Sequence, residues 1–440
     1  MKARLVPVYF PGRDGDFDRQ VQVLRSLLSG DAEILEPHAL GAPLPEADAV
    51  VFPQMLGEAY RLVSAFKAID LPILVVTSEF GTMAMWDWEI ASYLRAEGVE
   101  VITPYNVEQT RKLCRALGVR RELRTSKFLV FQDNPGEGFQ PSIFKRFYWW
   151  EDECTRRMFD RFGITIEKKS FKELGQRAKE ISDQKAEAVW ELWKPRLNLG
   201  DISVRARNSA LKMYLAVKQE LDQDPTVKGV GINCLNESHF SDTTPCLAWN
   251  MLYEERRLIW GCEADTVSMV TKYILNQTLG VAIMMTNLYP FLMGQTALKH
   301  ERIEAFPTVS EPENHILAAH CGYLGVLPQS FATEWTLRPK VLAIVDNNAT
   351  AIDARLPTGD MTLAKLDPTF KTMTVAEGSL EGYAQYPGSD CLNGAVLKIT
   401  NGRNLMSQAS SHHYLLMSGH HLTDTGLISS IFDFEVKLIG

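Results

Sequence analysis

The sequence predicts a mixed α/β fold: two doubly wound parallel-sheet domains over residues 1–123 and 124–335, then a C-terminal β-barrel-like domain over residues 336–440. Three observations carry that expectation. Short β-branched runs alternate with segments of helical period up to about residue 335, an order that implies parallel strands covered by helices on both faces. Past about residue 337 the texture changes to short β runs bounded by turns, the pattern of a small barrel or sandwich. With 440 residues, 45% of them hydrophobic, the chain is long and apolar enough to give each domain its own core.

The first domain opens on a strand at 5–10 that stops at Pro11 and Gly12. Its succession then reads helix 17–28, strand 49–53, helix 58–69, strand 72–77, helix 86–96, strand 99–103 and helix 108–117. Gly98 and Gly118 stand just past helix ends, where a left-handed cap favours a residue without a Cβ. After the charged stretch 120–124 the alternation restarts with strand 127–132, a loop at Pro135 and Gly136 followed by a helix, and strand 164–167. Long polar helices at 171–194 and 203–221 precede the apolar strand 228–234. The segment Pro135-Gly136-Glu137-Gly138 lacks the Lys-Ser/Thr of a phosphate loop and reads as a turn. The last domain holds β runs at 340–345, 361–366, 371–377, 394–400 and 414–417, with a helical turn near 424–431.

Composition narrows the function. Acidic side chains outnumber basic ones, 54 to 46, and the resulting charge of −8 argues against a general nucleic-acid binder with a broad basic surface. The longest apolar run, 281–293, is broken by Thr286, Asn287 and Pro290, so no membrane span is expected. The N-terminus reads as a strand and not as a signal peptide. Seven cysteines, an odd number without a Cys-x-x-Cys pair, suit reduced thiols in a cytoplasmic protein.

Chemistry concentrates in three places. The first is Cys262-Glu263-Ala264-Asp265, followed by a helical run to Leu279. Asp265 stands where a helix N-cap stands. Glu263 ends a short strand on the sheet edge where ligands bind; the alternative is a buried ion pair with Arg256 or Arg257. The second place is the run 315–319, which delivers His320 and Cys321 to a glycine turn, with His320 either packed or a ligand. The third is the stretch 410–421, which holds four of the nine histidines, as His412-His413 and His420-His421. Strand alternation lets at most one of His412 and His413 face a given site. One carboxylate and two imidazoles fit a divalent metal with mixed oxygen and nitrogen donors, such as manganese. Cys262 and Cys321 read as small packing residues.

The order of Cys234, Pro245-Cys246-Leu247-Ala248, Cys262-Glu263-Ala264-Asp265, His320-Cys321-Gly322 and His412-His413-Tyr414 resembles the L-fucose and L-arabinose isomerase superfamily from about residue 128 onward. The resemblance implies two Rossmann-like domains, a C-terminal β domain, manganese-dependent aldose–ketose isomerisation and a homo-oligomer, trimeric or hexameric, with active sites near subunit contacts. It puts Glu263 in the place of a catalytic, metal-binding carboxylate and His320 in that of a ligand histidine. The late pair would supply one imidazole, with His413 favoured over His412. A second metal-binding carboxylate of the family falls at Asn287 here, which coordinates only through its carbonyl oxygen and cannot serve as a base. Asp265, Glu301 or Glu313 would then take the second carboxylate's role, or the chemistry differs.

The mechanism expected from these residues is proton transfer through an enediol, with Glu263 as base and Asp265 as the second catalytic candidate. His320, His412 or His413, and Asn287 would hold the metal. His239 would contact sugar hydroxyls or lie in a solvated loop, and Trp249 and Tyr289 would pack on the sugar or in the core. Two other functions share this residue set: a sugar-binding protein without turnover, which Asn287 favours, and carbon–carbon cleavage of a ketose through the same enediolate.

Overall fold

A computed structural model describes residues 1–13, 15–133, 145, 151–234, 240–291, 309–320, 327–340, 346–384 and 394–440. The Pro135-Gly136 loop, His239, Glu301, Cys321 and residues 341–345 of the expected strand 340–345 lie outside the described residues. The chain forms two compact units. One comprises Met1–Arg124 with Gln277–Gly280 and Thr423–Phe434; the other comprises Thr125–Asn276, Val281–Leu422 and Glu435–Gly440. The fold is mixed α/β, with two parallel sheets and a closed antiparallel barrel.

The first unit is built on strands β1 (Ala3–Tyr9), β2 (Ala32–Ile34), β3 (His38–Ala39), β4 (Ala49–Phe52), β5 (Ile73–Val75) and β6 (Val101–Ile102). They run parallel in the order β2-β1-β4-β5-β6, with β3 also paired to β1. Strands β4 and β5 are buried throughout, which their unbroken apolar sequences require of central parallel strands. Helices α1 (Gly15–Leu27), α2 (Val63–Lys67), α3 (Asp87–Ala96) and α4 (Val107–Leu123) connect them. The expected helix 58–69 is a 3-10 turn at Ala59–Arg61 followed by the short α2. Gly98 follows α3 with φ +81, as a C-terminal cap should. Gly118 does not cap: it lies inside α4, where a Cβ would stand 2.5 Å from the Met1 carbonyl oxygen. Close approach of backbone, not a left-handed turn, explains that glycine.

In the second unit β7 (Lys127–Phe131), β8 (Thr165–Lys169), β9 (Val227–Ile232) and β10 (Ile259–Cys262) form a parallel sheet in the order β10-β9-β7-β8. Its helices are α5 (Asp152–Phe162), α6 (Phe171–Glu180), α7 (Asp183–Trp193), α8 (Val204–Gln223), α9 (Cys246–Arg256) and α10 (Thr266–Leu279). The single helix expected over 171–194 is two, because Ser182 turns extended and caps α7 by accepting from the Lys185 amide. Glycine faces admit α10 closely: a Cβ on Gly261 would meet Met269 Cγ at 2.4 Å, and one on Gly231 would meet Ala264 Cα at 2.9 Å.

The barrel consists of β11 (Ile283–Pro290) and β12 (His315–Ala319), then β15 (Gly359–Leu366), β16 (Thr372–Ala384), β17 (Gly394–Ile399) and β18 (His413–Ser418), while β13 (Glu334–Pro339) and β14 (Thr350–Arg355) pair separately. All six neighbours are antiparallel in the order β15-β18-β11-β12-β17-β16, and β15 closes on β16, so the ring has no free edge. Strand β19 (Glu435–Leu438) joins β16 in parallel. Here the structure differs from the expected division: β11 and β12 fall within the residues expected for the central α/β domain, yet they complete the barrel. An apolar strand carries no signal of which sheet it will join. Helix α11 (Gly402–Gln408) precedes β18, and α12 (Leu422–Phe432) replaces the single turn expected near its position. No helix among the described residues is long and apolar enough to cross a membrane.

Gly394 tests the barrel closure. A Cβ there would lie 2.2 Å from the Ala318 carbonyl oxygen and 2.6 Å from Ala319 Cβ, against backbone that cannot yield, whereas one on Gly382 meets nothing within 4 Å. Gly394→Ala should lower unfolding free energy in urea by about 1–3 kcal/mol, with Gly382→Ala within about 0.5 kcal/mol of wild type. Equal effects would show that the β12–β17 contact does not limit packing.

Candidate metal centre

The site begins with a strained turn. β10 ends at Cys262, and the next two residues, Glu263 and Ala264, take the left-handed region with φ 52° and 58°. Non-glycine residues there cost on the order of 1 kcal/mol or more each and persist only where the surroundings impose them. The Ala264 amide donates to the Gly261 carbonyl at 3.3 Å and the Asp265 amide to the Cys262 carbonyl at 3.2 Å. Asp265 then caps α10: its carboxylate accepts from the Ser268 amide at 2.9 Å and from the Ser268 hydroxyl at 2.7 Å.

The barrel supplies the other wall. His413 opens β18 opposite Asn287 of β11, which stands opposite Ala319 of β12, so one row crosses three strands and His320 follows it. Glu263, His412 and His413 each offer a ligand atom, all within 4.8 Å of one another. Both late histidines therefore reach the same cluster, against the alternation argument. The reason is local: His412 lies in a bend before β18 begins, where strand alternation does not apply. The Ser411 hydroxyl oxygen accepts from the His413 amide at 2.9 Å in that bend, and the two imidazole centroids are 4.2 Å apart.

Hydrogen bonding sets what each ring presents. The His413 Nδ1 donates to Asp265 Oδ2 at 2.9 Å, because a carboxylate only accepts, which leaves Nε2 as the nitrogen toward Glu263 Oε2, 3.7 Å away. A carboxylate behind a ligand imidazole is the usual means of orienting it on a metal. Burial pushes the His412 imidazole down to about 3, with the neighbouring His413 adding to the effect, which keeps it neutral and able to donate a lone pair. Burial, then His413, likewise holds His320 well below the ordinary histidine range. The donor set fits a divalent cation: two acceptor atoms 3.7 Å apart are within twice a metal–donor bond of about 2.1 Å.

Behind the cluster lies a charged residue that sequence reasoning missed. Lys365, next to last in β15 and within its buried part, donates to Asp265 Oδ2 at 3.0 Å and also to the Ser268 hydroxyl; Lys365 and Asp265 are 2% and 0% exposed. Burial raises the Asp265 carboxyl, but the charge of Lys365, the His413 hydrogen bond and the Ser268 amide outweigh it and hold the group below the usual carboxylate range. The signal available in the sequence was a lone lysine in an otherwise apolar strand, which needs a buried partner.

The other expected site residues fall as follows. Asn287 spends its carbonyl oxygen on His320 Nδ1 at 3.3 Å and its amide nitrogen on the Tyr289 hydroxyl at 3.2 Å, so it orients His320 instead of sitting in the cluster. That bond leaves His320 Nε2 buried with no hydrogen-bond partner among the described residues. The His320 ring centroid is 5.8 Å from that of His413, close to the three-residue cluster but not one of it. Trp249 is 1% exposed within α9 and belongs to the core, not to an open stacking face. Tyr289 is half-buried beside Asn287. Arg256 pairs with Asp222 and Arg257 lies over the Tyr253 ring, so neither neutralises Glu263. Glu313 is exposed before β12 begins, at the opposite end of that strand from His320, and cannot supply a second carboxylate. Asp265, with its oxygens engaged by four donors, holds His413 and is not placed as a base. Compared with models of known protein families the chain matches none, and no curated protein matches it.

The Lys365–Asp265 pair yields two expectations. Lys365→Met, which leaves a carboxylate buried without its cation, should cost about 3–5 kcal/mol in urea unfolding, and adding Asp265→Asn should restore part of it. Because the folded carboxyl lies below its unfolded value of about 3.9, its stabilisation is complete above that pH and is lost as pH falls below it. Wild type should therefore lose more stability between pH 5 and pH 3, roughly, than the double variant; parallel curves would exclude Asp265 as the acid-sensitive group.

Proposed function

We propose that this chain is a divalent-metal-dependent aldose–ketose isomerase, acting on a free sugar or sugar derivative, of the kind that the L-fucose and L-arabinose isomerases represent. The observation that carries the proposal is the convergence of Glu263, His412 and His413 on one point, with His413 oriented from behind by Asp265. Order along the chain supports it independently, since the carboxylate precedes the mid-chain histidine and the late histidine pair in the family's sequence order. The two parallel sheets then stand for the family's two doubly wound domains, and the closed ring for its β domain.

In this reading Glu263 and the His412 and His413 imidazoles hold the cation, with His320 beside them. Manganese, our choice for a site of one carboxylate and two imidazoles, would when bound supply Lewis-acid stabilisation of the negative charge that develops on the sugar. Glu263 removes a proton from one carbon and returns it to its neighbour, which exchanges carbonyl and hydroxyl through an enediol. Asp265 is a positioning residue that keeps the His413 lone pair on the cluster side. Asn287 and Tyr289 order His320.

A second reading, a sugar-binding protein without turnover, is favoured by one observation: Glu263 is the sole carboxylate of the described cluster. Cleavage of a ketose through the same enediol would give two fragments. An NMR panel of aldoses, ketoses and acidic sugar derivatives with manganese separates the three outcomes as isomer, fragments or unchanged sugar.

On a working substrate Glu263→Gln should abolish isomerisation while leaving the melting curve near that of wild type; retained turnover would remove Glu263 from its role. Dialysis against a chelator should abolish activity, with manganese restoring it best, and His413→Ala should weaken manganese binding at least tenfold by calorimetry. The proposal also carries a homo-oligomer. Phe80, Met85, Trp86 and Tyr105 of the first unit are each at least 63% exposed, large apolar side chains of the kind that subunit contacts cover. Light scattering should return a multiple of the chain mass, and a monomer would overturn this part.

A further inference from the structure

Two buried thiols sit next to the metal centre, and the isomerase reading gives them no part. Cys262, the last residue of β10, immediately precedes Glu263. Cys234 lies two residues past the end of β9, the strand paired in parallel with β10. Ile232, the last residue of β9, is the register partner of Cys262, which brings the chain carrying Cys234 alongside the end of β10. Their sulfur atoms are 3.3 Å apart, and the residues are 5% and 4% exposed. A disulfide bond is about 2.0 Å long, so the sulfurs lie roughly an ångström of movement from bonding, within reach of side-chain rotation and a small backbone adjustment.

We propose that Cys234 and Cys262 form a site of reversible thiol oxidation that controls the metal centre through Glu263. A hydroperoxide is the oxidant. One thiolate attacks the peroxide oxygen, giving a sulfenic acid and water; the second thiol displaces hydroxide from that sulfur, which leaves as a second water with the thiol's proton. Across both steps two thiols lose two protons and two electrons, and one hydrogen peroxide becomes two waters. A dithiol reverses the reaction by exchange.

The coupling to the metal is covalent and short. Drawing the Cys262 sulfur toward Cys234 moves the end of β10, to which the left-handed pair Glu263 and Ala264 is joined. Those two residues hold an uncommon backbone conformation imposed by their surroundings, so a shift at Cys262 releases them toward ordinary conformations and takes the Glu263 carboxylate away from His412 and His413. The position of a ligand carboxylate is worth at least as much to a metal site as its outer hydrogen-bond partners, whose loss costs tenfold to a hundredfold. The cross-link stands on the thiol geometry alone; its effect on metal rests on the metal centre proposed above.

The experiment treats reduced full-length protein with hydrogen peroxide, maps cross-linked peptides without reductant, and measures manganese(II) affinity before and after by electron paramagnetic resonance. The expected result is a peptide joining Cys234 to Cys262, loss of two hydrogen masses, and manganese binding weakened at least tenfold, all reversed by dithiothreitol. Cys234→Ser, which lies outside the metal cluster, should bind manganese as wild type does and keep its affinity under peroxide. Absence of the Cys234–Cys262 peptide overturns the proposal, and so does a cross-linked protein of unchanged affinity. Reduced wild-type protein that binds no manganese overturns the metal centre and the control of it, while the peptide map still decides the thiol pair by itself.

Discussion

The buried carboxylate of Asp265 joins three parts of the second unit that have no covalent reason to meet. One oxygen accepts from the α10 N-terminus, and the other takes the Ser268 hydroxyl, the Lys365 ammonium from β15 and the His413 imidazole from β18. A parallel-sheet layer and an antiparallel barrel are thereby locked in one register by a single side chain. Such a buried pair adds little net stability over apolar packing, since desolvation offsets most of the attraction. In this arrangement the α10 N-terminus, β15 and β18 all satisfy their polar groups on one carboxylate.

Orientation at the candidate metal centre follows from that junction. A neutral imidazole has one donor and one acceptor nitrogen, so once Asp265 accepts the hydrogen bond from His413 Nδ1–H, Nε2 is the nitrogen left to face Glu263. Asn287 does the same for His320 with an amide oxygen in place of a carboxylate. The residue that stands where the family resemblance calls for a carboxylate therefore acts on a histidine. This accounts for an asparagine at the position without asking it to be a base.

Much of the architecture was legible in the residues. Four of the six strands of the first unit, the strand–helix alternation of the second and the β character of the end of the chain follow from hydrophobic period and turn residues, while the short β2 and β3 gave no such signal. Asp265 announced its capping role by standing before a helical run, and Glu263 announced itself as a carboxylate in apolar surroundings. Three things were not legible: that 283–290 and 315–319 belong to the barrel, that His412 escapes strand alternation, and that Lys365 reaches Asp265. The first and the last depend on contacts between segments far apart in sequence, 100 positions apart for Lys365 and Asp265, while the second turns on the residue at which β18 begins.

By itself, then, the amino-acid order determined which side chains carry chemistry and which local element each would stand on, because capping, period and the cost of burying charge are short-range rules. Only the tertiary structure decided which of them meet. Barrel closure needs every strand to find two partners, and that condition draws β11 and β12 away from the parallel sheet, sets Asn287 opposite His413, and brings the late histidine pair to the turn where Glu263 waits.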